Sequence, residues 1–168
     1  MTPRPLPGTP SRKIQGPSLF PHFRRFTANG RDFELKYVTR LVPHHSDKAV
    51  FKATFQQDGQ DHTVVVKFTP KYCARGHEIA GSMDSAPKLW FCEVMGSVGM
   101  FVVVMDFVEG RRIDNDKLHL LPEEVIGPLR GTIAALHDAK LVHGDLRGPN
   151  IVVSEGEEID DRVVSLTE

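Results

Sequence analysis

The stretch LVHGDLRGPNIVV, residues 141–153, places His143, Asp145, Arg147 and Asn150 in one short segment that closes on three apolar residues. Two glycines and a proline interrupt the polar part, so it reads as a loop. Polar side chains gathered in a loop just before a β-branched run fit a site carried on a rigid scaffold better than a solvated turn. Before the loop stands PEEVIGPLRGTIAALHDA, residues 122–139, which Pro122 opens as a long helix. Val125, Ile126, Leu129, Ile133, Leu136 and His137 mark one face of it, and the internal Pro128 predicts a kink in its first turns. After the loop, IVV and RVVSL read as two short strands joined by the acidic turn EGEEIDD.

Working back from this loop, the chain changes period. DFELKYVTRLV, KAVFKATF and HTVVVKF are rich in apolar, β-branched and aromatic residues and read as three antiparallel strands. Thr69 offers a helix N-cap with Pro70 at the first helical position, and Tyr72, Cys73, Gly76, Ile79, Ala80 and Met83 follow at helical spacing. APKLWFCEV and MFVVVMDFV supply two further strands; the second is apolar throughout and should lie centrally in a sheet. EGRRIDNDKLHLL reads as polar and irregular. The fold class expected is α+β.

Residues 1–31 hold six prolines and six Lys or Arg residues without one acid, the composition of an extended, disordered basic arm. The folded part is expected over 32–168. With 168 residues, 40% hydrophobic and 26% charged, and a formal net charge of −1, the chain has the composition of an ordinary globular domain. No run approaches the roughly 18 consecutive apolar residues of a membrane span, and the N-terminus lacks a signal-peptide core. An intracellular, cytoplasmic location is expected, with the nucleus as the alternative, and neither a membrane nor a nucleic-acid partner. Cys73 and Cys92 lack CxxC spacing and read as small buried apolar groups, and the eight scattered histidines do not form a metal motif.

Five strands with a helix between the third and fourth, then a long helix, then His-x-Asp with an Asn five residues beyond the Asp, resemble the protein-kinase-like fold. The phrases VVVKF, APKL, VVMDFVEG and HGDLRGPNIVV carry the resemblance, and HGD in place of HRD is similar to the divergent kinase-like proteins of fungi and to related small-molecule phosphotransferases. The resemblance implies a five-stranded antiparallel N-lobe sheet with one helix over about 32–108. The beginning of a helical C-lobe (long helix, catalytic loop and short hairpin) would follow over 109–168.

The resemblance also implies ATP and Mg²⁺ as cofactors and phosphoryl transfer to a protein hydroxyl, Ser or Thr. Such transfer needs an acceptor held in line and charge neutralised on the transferring group. Asp145 would orient the acceptor hydroxyl and take its proton, Arg147 would reach the γ-phosphate, Asn150 would offer an oxygen to Mg²⁺, and His143 would brace the loop. Lys67, a cation in an apolar strand, would meet the α- and β-phosphates, with Glu78 on the next helix, 11 residues on, as its counter-charge. Adenine would lie between Val50 and Val65 on one side and Val152 on the other, with Met105 at the back and the Asp106 carbonyl and Val108 amide as hydrogen-bond partners.

Two features depart from that pattern. Pro43, His45 and Lys48 stand where a glycine-rich phosphate loop would be expected, and Thr167 and Glu168 stand where the resemblance places a metal-binding Asp. The chain therefore reads as a domain truncated before that Asp. The apolar face of the long helix would be left partly uncovered and favour self-association. Two alternatives accompany this reading: a catalytically silent pseudokinase or scaffold, and a small-molecule kinase of the choline or aminoglycoside type.

Overall fold

Asn29-Gly30 and Asp58-Gly59 both hold positive φ, at 53° and 73° and at 51° and 81°, the conformation of two-residue hairpin turns whose twist suits the strands they join. The computed structural model describes residues 20–43, 48–96, 99–154 and 162–165. The first turn closes a hairpin of β1 (Arg25–Ala28) and β2 (Arg31–Glu34), with Phe26 opposite Phe33. The chain continues through β3 (Lys36–Arg40) into β4 (Ala49–Gln57), and the second turn leads from β4 into β5 (Gln60–Thr69). Helix α1 (Ala74–Ser82) precedes β6 (Leu89–Met95) and β7 (Met100–Asp106). A five-stranded antiparallel sheet results, in the order β3-β4-β5-β7-β6.

Successive side chains of a strand point to opposite faces, and β5 and β7 use both. Val64, Val66, Val102 and Val104 join Phe26, Phe33, Leu35, Phe55 and Trp90 in one buried cluster. Val65, Val103 and Met105 form a second cluster on the opposite face, with Val50 and Phe107 against it. The first cluster is tied by rings, Phe33 to Phe55 at 4.9 Å and Phe55 to Trp90 at 5.0 Å between centroids, a separation at which aromatic pairs attract beyond their area.

Beyond β7 come β8 (Arg111–Arg112), a 3₁₀ turn over Asn115–Leu120, α2 (Glu123–Asp138), a 3₁₀ turn over Gly148–Asn150, β9 (Ile151–Ser154) and β10 (Arg162–Ser165). These last strands form a three-stranded antiparallel sheet, β10-β9-β8. Ile113, Val125, Leu129, Ile151 and Val153 make a third core between that sheet and α2. Helix α2 meets the segment that follows α1 through a polar contact: Thr132 Oγ1 donates to Ser85 Oγ (2.7 Å), which donates to the Met83 carbonyl (3.2 Å), and both side chains are buried.

The structure corrects five expectations. The folded part begins by Phe20 rather than at residue 32, because Phe20, Phe23 and Phe26 each find aromatic partners and Tyr37 donates to the Phe23 carbonyl (2.8 Å). Apolar burial of those rings outweighs the basic, proline-rich composition around them; residues 1–19 lie outside the described residues. Helix α1 is capped by Cys73, whose Sγ accepts the Gly76 N–H, while Thr69 ends β5. Cys73 is exposed and Cys92 half-buried, so neither is the buried apolar group expected. On α2 the buried face is Val125, Leu129, Thr132 and Leu136; Ile126 and Ile133 are half-buried and His137 is exposed. Residues 109–121, read as irregular, contain β8 and a 3₁₀ turn.

One buried histidine ties α1 to the sheet. His77 is 2% exposed, its Nε2 lies 2.6 Å from the Pro87 carbonyl and its Nδ1 2.6 Å from the Tyr72 hydroxyl. A carbonyl only accepts, so Nε2 carries the proton and Nδ1 accepts from Tyr72. Burial holds the His77 pKa below its usual value, with the Pro87 carbonyl and Glu78 opposing.

Two outcomes follow from these contacts. Thr132→Val should lower stability by about 0.5–1.5 kcal/mol, because it removes one of the two hydrogen bonds of the buried Ser85 hydroxyl; combined with Ser85→Ala, the loss in urea unfolding should be less than additive. The stability tied to neutral His77 is complete above the unfolded histidine value near 6.5 and is lost as pH falls through the window below it, down to the lowered folded value. His77→Gln should therefore be less stable at pH 7 and show a flatter decline between about pH 7 and 5 in thermal melts.

Candidate active site

The site begins with the alternation of β5. Lys67 follows Val65 on the same face, opposite Val50 on β4 and Val103 on β7, so the strand that builds the core also presents a cation away from it. Its Nζ lies 5.9 Å from the centroid of Tyr72, within cation–π range, and Tyr72 is itself held by His77.

On the other side, the loop after α2 turns sharply. The Asp145 amide donates to the His143 carbonyl (2.8 Å), a three-residue turn centred on Gly144 at φ 71°. A side chain at 144 would be strained there, which gives HGD a local reason. Two donors hold the Asp145 carboxylate: Arg147 Nε at 3.0 Å from Oδ1, and Asn150 Nδ2 at 2.9 Å from Oδ2. Asn150 Nδ2 also meets the Asp145 carbonyl at 2.9 Å, so one buried amide closes the loop on both main chain and side chain. Gly148 is required by close approach, because a Cβ there would run into the Ile113 carbonyl oxygen; its N–H donates to Asn115 Oδ1 (2.9 Å). Burial lowers the His143 pKa, against the pull of Asp145, so the ring is neutral at pH 7.

Between the five-stranded sheet and this loop lies a cleft of about 510 Å³. It is lined by Val50, Val65, Lys67, Met105, Val108, Arg147, Asn150 and Val152 among the residues expected from the sequence. Asp145 stands immediately behind the lining, bonded to both Arg147 and Asn150. Asp106 lies outside it: its carboxylate accepts the Trp90 indole N–H and its amide donates to the Lys88 carbonyl (3.0 Å). Glu78 is exposed on α1, and its charge is felt at Cys92, which pairs with Val103, the strand neighbour of Lys67.

Sequence reading missed Leu41, Val42, Lys48, Phe107, Gly110, Arg112 and Pro149, which also line the cleft. Leu41 and Val42 follow β3 and are carried over the cleft by the Leu41 N–H to Val50 carbonyl bond (2.9 Å). Lys48, one of the residues standing for the absent glycines, lines the cleft, and its carbonyl accepts from Arg40 Nη2 (2.9 Å). Pro43 is exposed; His45, Thr167 and Glu168 fall outside the described residues. Lys48, Lys67, Arg112 and Arg147 give the polar part of the lining a cationic character, while Val50, Val65, Met105 and Val152 form its apolar walls. A cleft lined by apolar side chains and several cations suits a flat ring bearing a polyanion.

No helix among the described residues is long and apolar enough to cross a membrane. No family model matches the chain, and no curated protein does. Among solved structures it is similar to the kinase PK-1 of Cydia pomonella granulovirus, at 18% identity and a TM-score of 0.57, covering 78% of this chain and 49% of that one. It is also similar to the kinase domain of maize SIRK1 (sucrose-induced receptor kinase 1), solved with AMP-PNP, at 13% identity and a TM-score of 0.47, covering 79% and 50%. The chain thus spans about half the length of these structures. The two α-helices and the five-stranded antiparallel sheet among its described residues, together with the likeness to PK-1, establish an α+β fold of the protein-kinase-like type.

Proposed function

We propose that the cleft binds ATP and that the protein acts in phosphoryl transfer from ATP to a hydroxyl of a protein acceptor. One observation carries this reading: residues as distant as Val50, Lys67, Met105, Arg147 and Val152 converge on a single cavity whose lining is both apolar and cationic. Adenine would fit between Val50 and Val65 on one side and Val152 on the other, with Met105 behind it and the Asp106 carbonyl and Val108 amide at its edge. Lys67 and Arg147 would hold the phosphates.

Asp145 is suited to the acceptor. Its two donors hold the carboxylate in one orientation, and partial exposure leaves it within reach of an incoming hydroxyl. The hydroxyl proton passes to Asp145 as its oxygen bonds to the γ-phosphorus; the bond from that phosphorus to the β–γ bridging oxygen breaks and ADP leaves. Mg²⁺, when bound, neutralises phosphate charge. Because the Asn150 amide nitrogen is used on Asp145, its oxygen is the end left for such an ion. Among the described residues no group of three His, Cys, Asp or Glu comes together to hold a metal. Mg²⁺ would therefore arrive on the phosphates, with Asn150 as an added ligand.

A second reading is a module that binds nucleotide without transferring phosphate, and it rests on Pro43 and Lys48 standing where a glycine-rich phosphate loop would be expected. Nucleotide binding indifferent to Mg²⁺, with no transfer to proteins, amino sugars or small alcohols, would establish it.

Calorimetry on the intact chain tests the first reading. ATP should bind more tightly with Mg²⁺ than without, and Lys67→Ala should weaken it by about tenfold or more, a loss of roughly 1.4 kcal/mol. No ATP binding by folded protein would end the nucleotide reading. Asp145→Asn should leave ATP affinity within about threefold and reduce transfer by about 10²–10⁴-fold; a variant that transfers as well as wild type would remove Asp145 from the chemistry.

A further inference from the structure

The cleft does not end at Arg112. That residue also lines a second hollow, about 270 Å³ in volume, which opens beside the cleft. Arg111, Arg112 and Lys117 supply its cations, and among the described residues Asp114 is the one carboxylate in its lining. Asp114 accepts from Lys117 Nζ at 2.7 Å, and Lys117 and Arg111 hold its carboxyl below the ordinary carboxylate range. Among the described lining residues, three cations against one carboxylate leave the hollow positive. The rest of its wall is apolar, Leu121 and Pro122 included, and Leu120 is 67% exposed beside it.

Arg111 and Lys117 do not line the nucleotide cleft, and the phosphate chemistry makes no use of either. We propose that this hollow binds an acidic side chain of a peptide acceptor, with the Arg111 and Arg112 guanidinium groups and Lys117 taking the carboxylate and Leu120 and Leu121 an apolar neighbour. The acceptor role rests on the phosphoryl-transfer reading above; the ligand class rests on the hollow itself. Planar guanidinium forks match a carboxylate in geometry as well as charge. The hollow has no aromatic lining residue on which a base could stack, and half its wall is aliphatic, so a peptide fits it better than single-stranded nucleic acid. Arg112, shared by the two cavities, places the acidic group a short way along an extended acceptor from the reacting hydroxyl.

Fluorescence anisotropy on the intact chain tests this. The probe is a labelled peptide with one Ser flanked by Leu and Glu residues, compared with the same peptide carrying Gln for Glu. The Glu peptide should bind about tenfold more tightly at low salt, and the gap should shrink as salt rises. R111E combined with K117E should abolish the preference, and Arg111→Gln should reduce it severalfold; ATP affinity, measured on the same samples, should stay within about twofold.

Equal binding of the two peptides, or a Glu preference that survives R111E with K117E, would overturn the proposal. So would poly(U) binding more tightly than the peptide and being lost in the same variant, which would make the hollow a nucleic-acid site. Loss of ATP binding with the Glu preference intact would sink the phosphoryl-transfer reading and leave the peptide site standing.

Discussion

Everything in this protein hangs on the two-residue alternation of β5. A strand between two hydrogen-bonded neighbours has both faces available, and here they do different things. Val64 and Val66 close an aromatic core with Phe55 and Trp90, while Val65 and Lys67 turn to the cleft. A slip of one residue in the pairing of β5 with β4 would bury the Lys67 ammonium among rings and expose two valines. The Asp58-Gly59 turn guards against it, because a two-residue loop fixes Gln57 opposite Gln60 and so sets every later pair.

The second half of the site depends on an economy of donors. Asn150 meets the Asp145 carboxylate and carbonyl with one amide nitrogen, and Arg147 supplies the other carboxylate contact. Gly148 brings this loop against the Ile113 carbonyl and Asn115, which ties the loop to the segment after β8. The floor of the cleft, the Asp145 loop and the positive hollow beside it therefore share one support, the Ile113, Ile151 and Val153 core.

Much of the fold was legible because the long elements carry strong periodicity: the β-branched runs around Val64 and Val102 and the apolar pattern around Leu129 are hard to read as anything else. The N-terminal boundary was not, because Phe23 and Phe26 sit among Arg residues and beside a proline-rich stretch, and composition averages over them. Nor was the buried face of α2, where Thr132 rather than Ile133 faces inward, since Ser85 waits there to accept its hydroxyl proton. Leu41, Val42 and Arg112 carry no motif; they line the cleft because strand pairing and β8 bring them there.

The sequence by itself determined the order of the main-sheet strands and of the helices α1 and α2, the two-faced strand bearing Lys67 and the polar loop bearing Asp145, because backbone period and turn chemistry are local properties of neighbouring residues. Only the tertiary structure decided which side chains share a cavity, that Asp145 is held by Arg147 and Asn150, and that Arg111, Arg112 and Lys117 open a positive hollow beside the cleft. Those facts depend on residues far apart in the chain meeting in space, and no local pattern records which of them will meet.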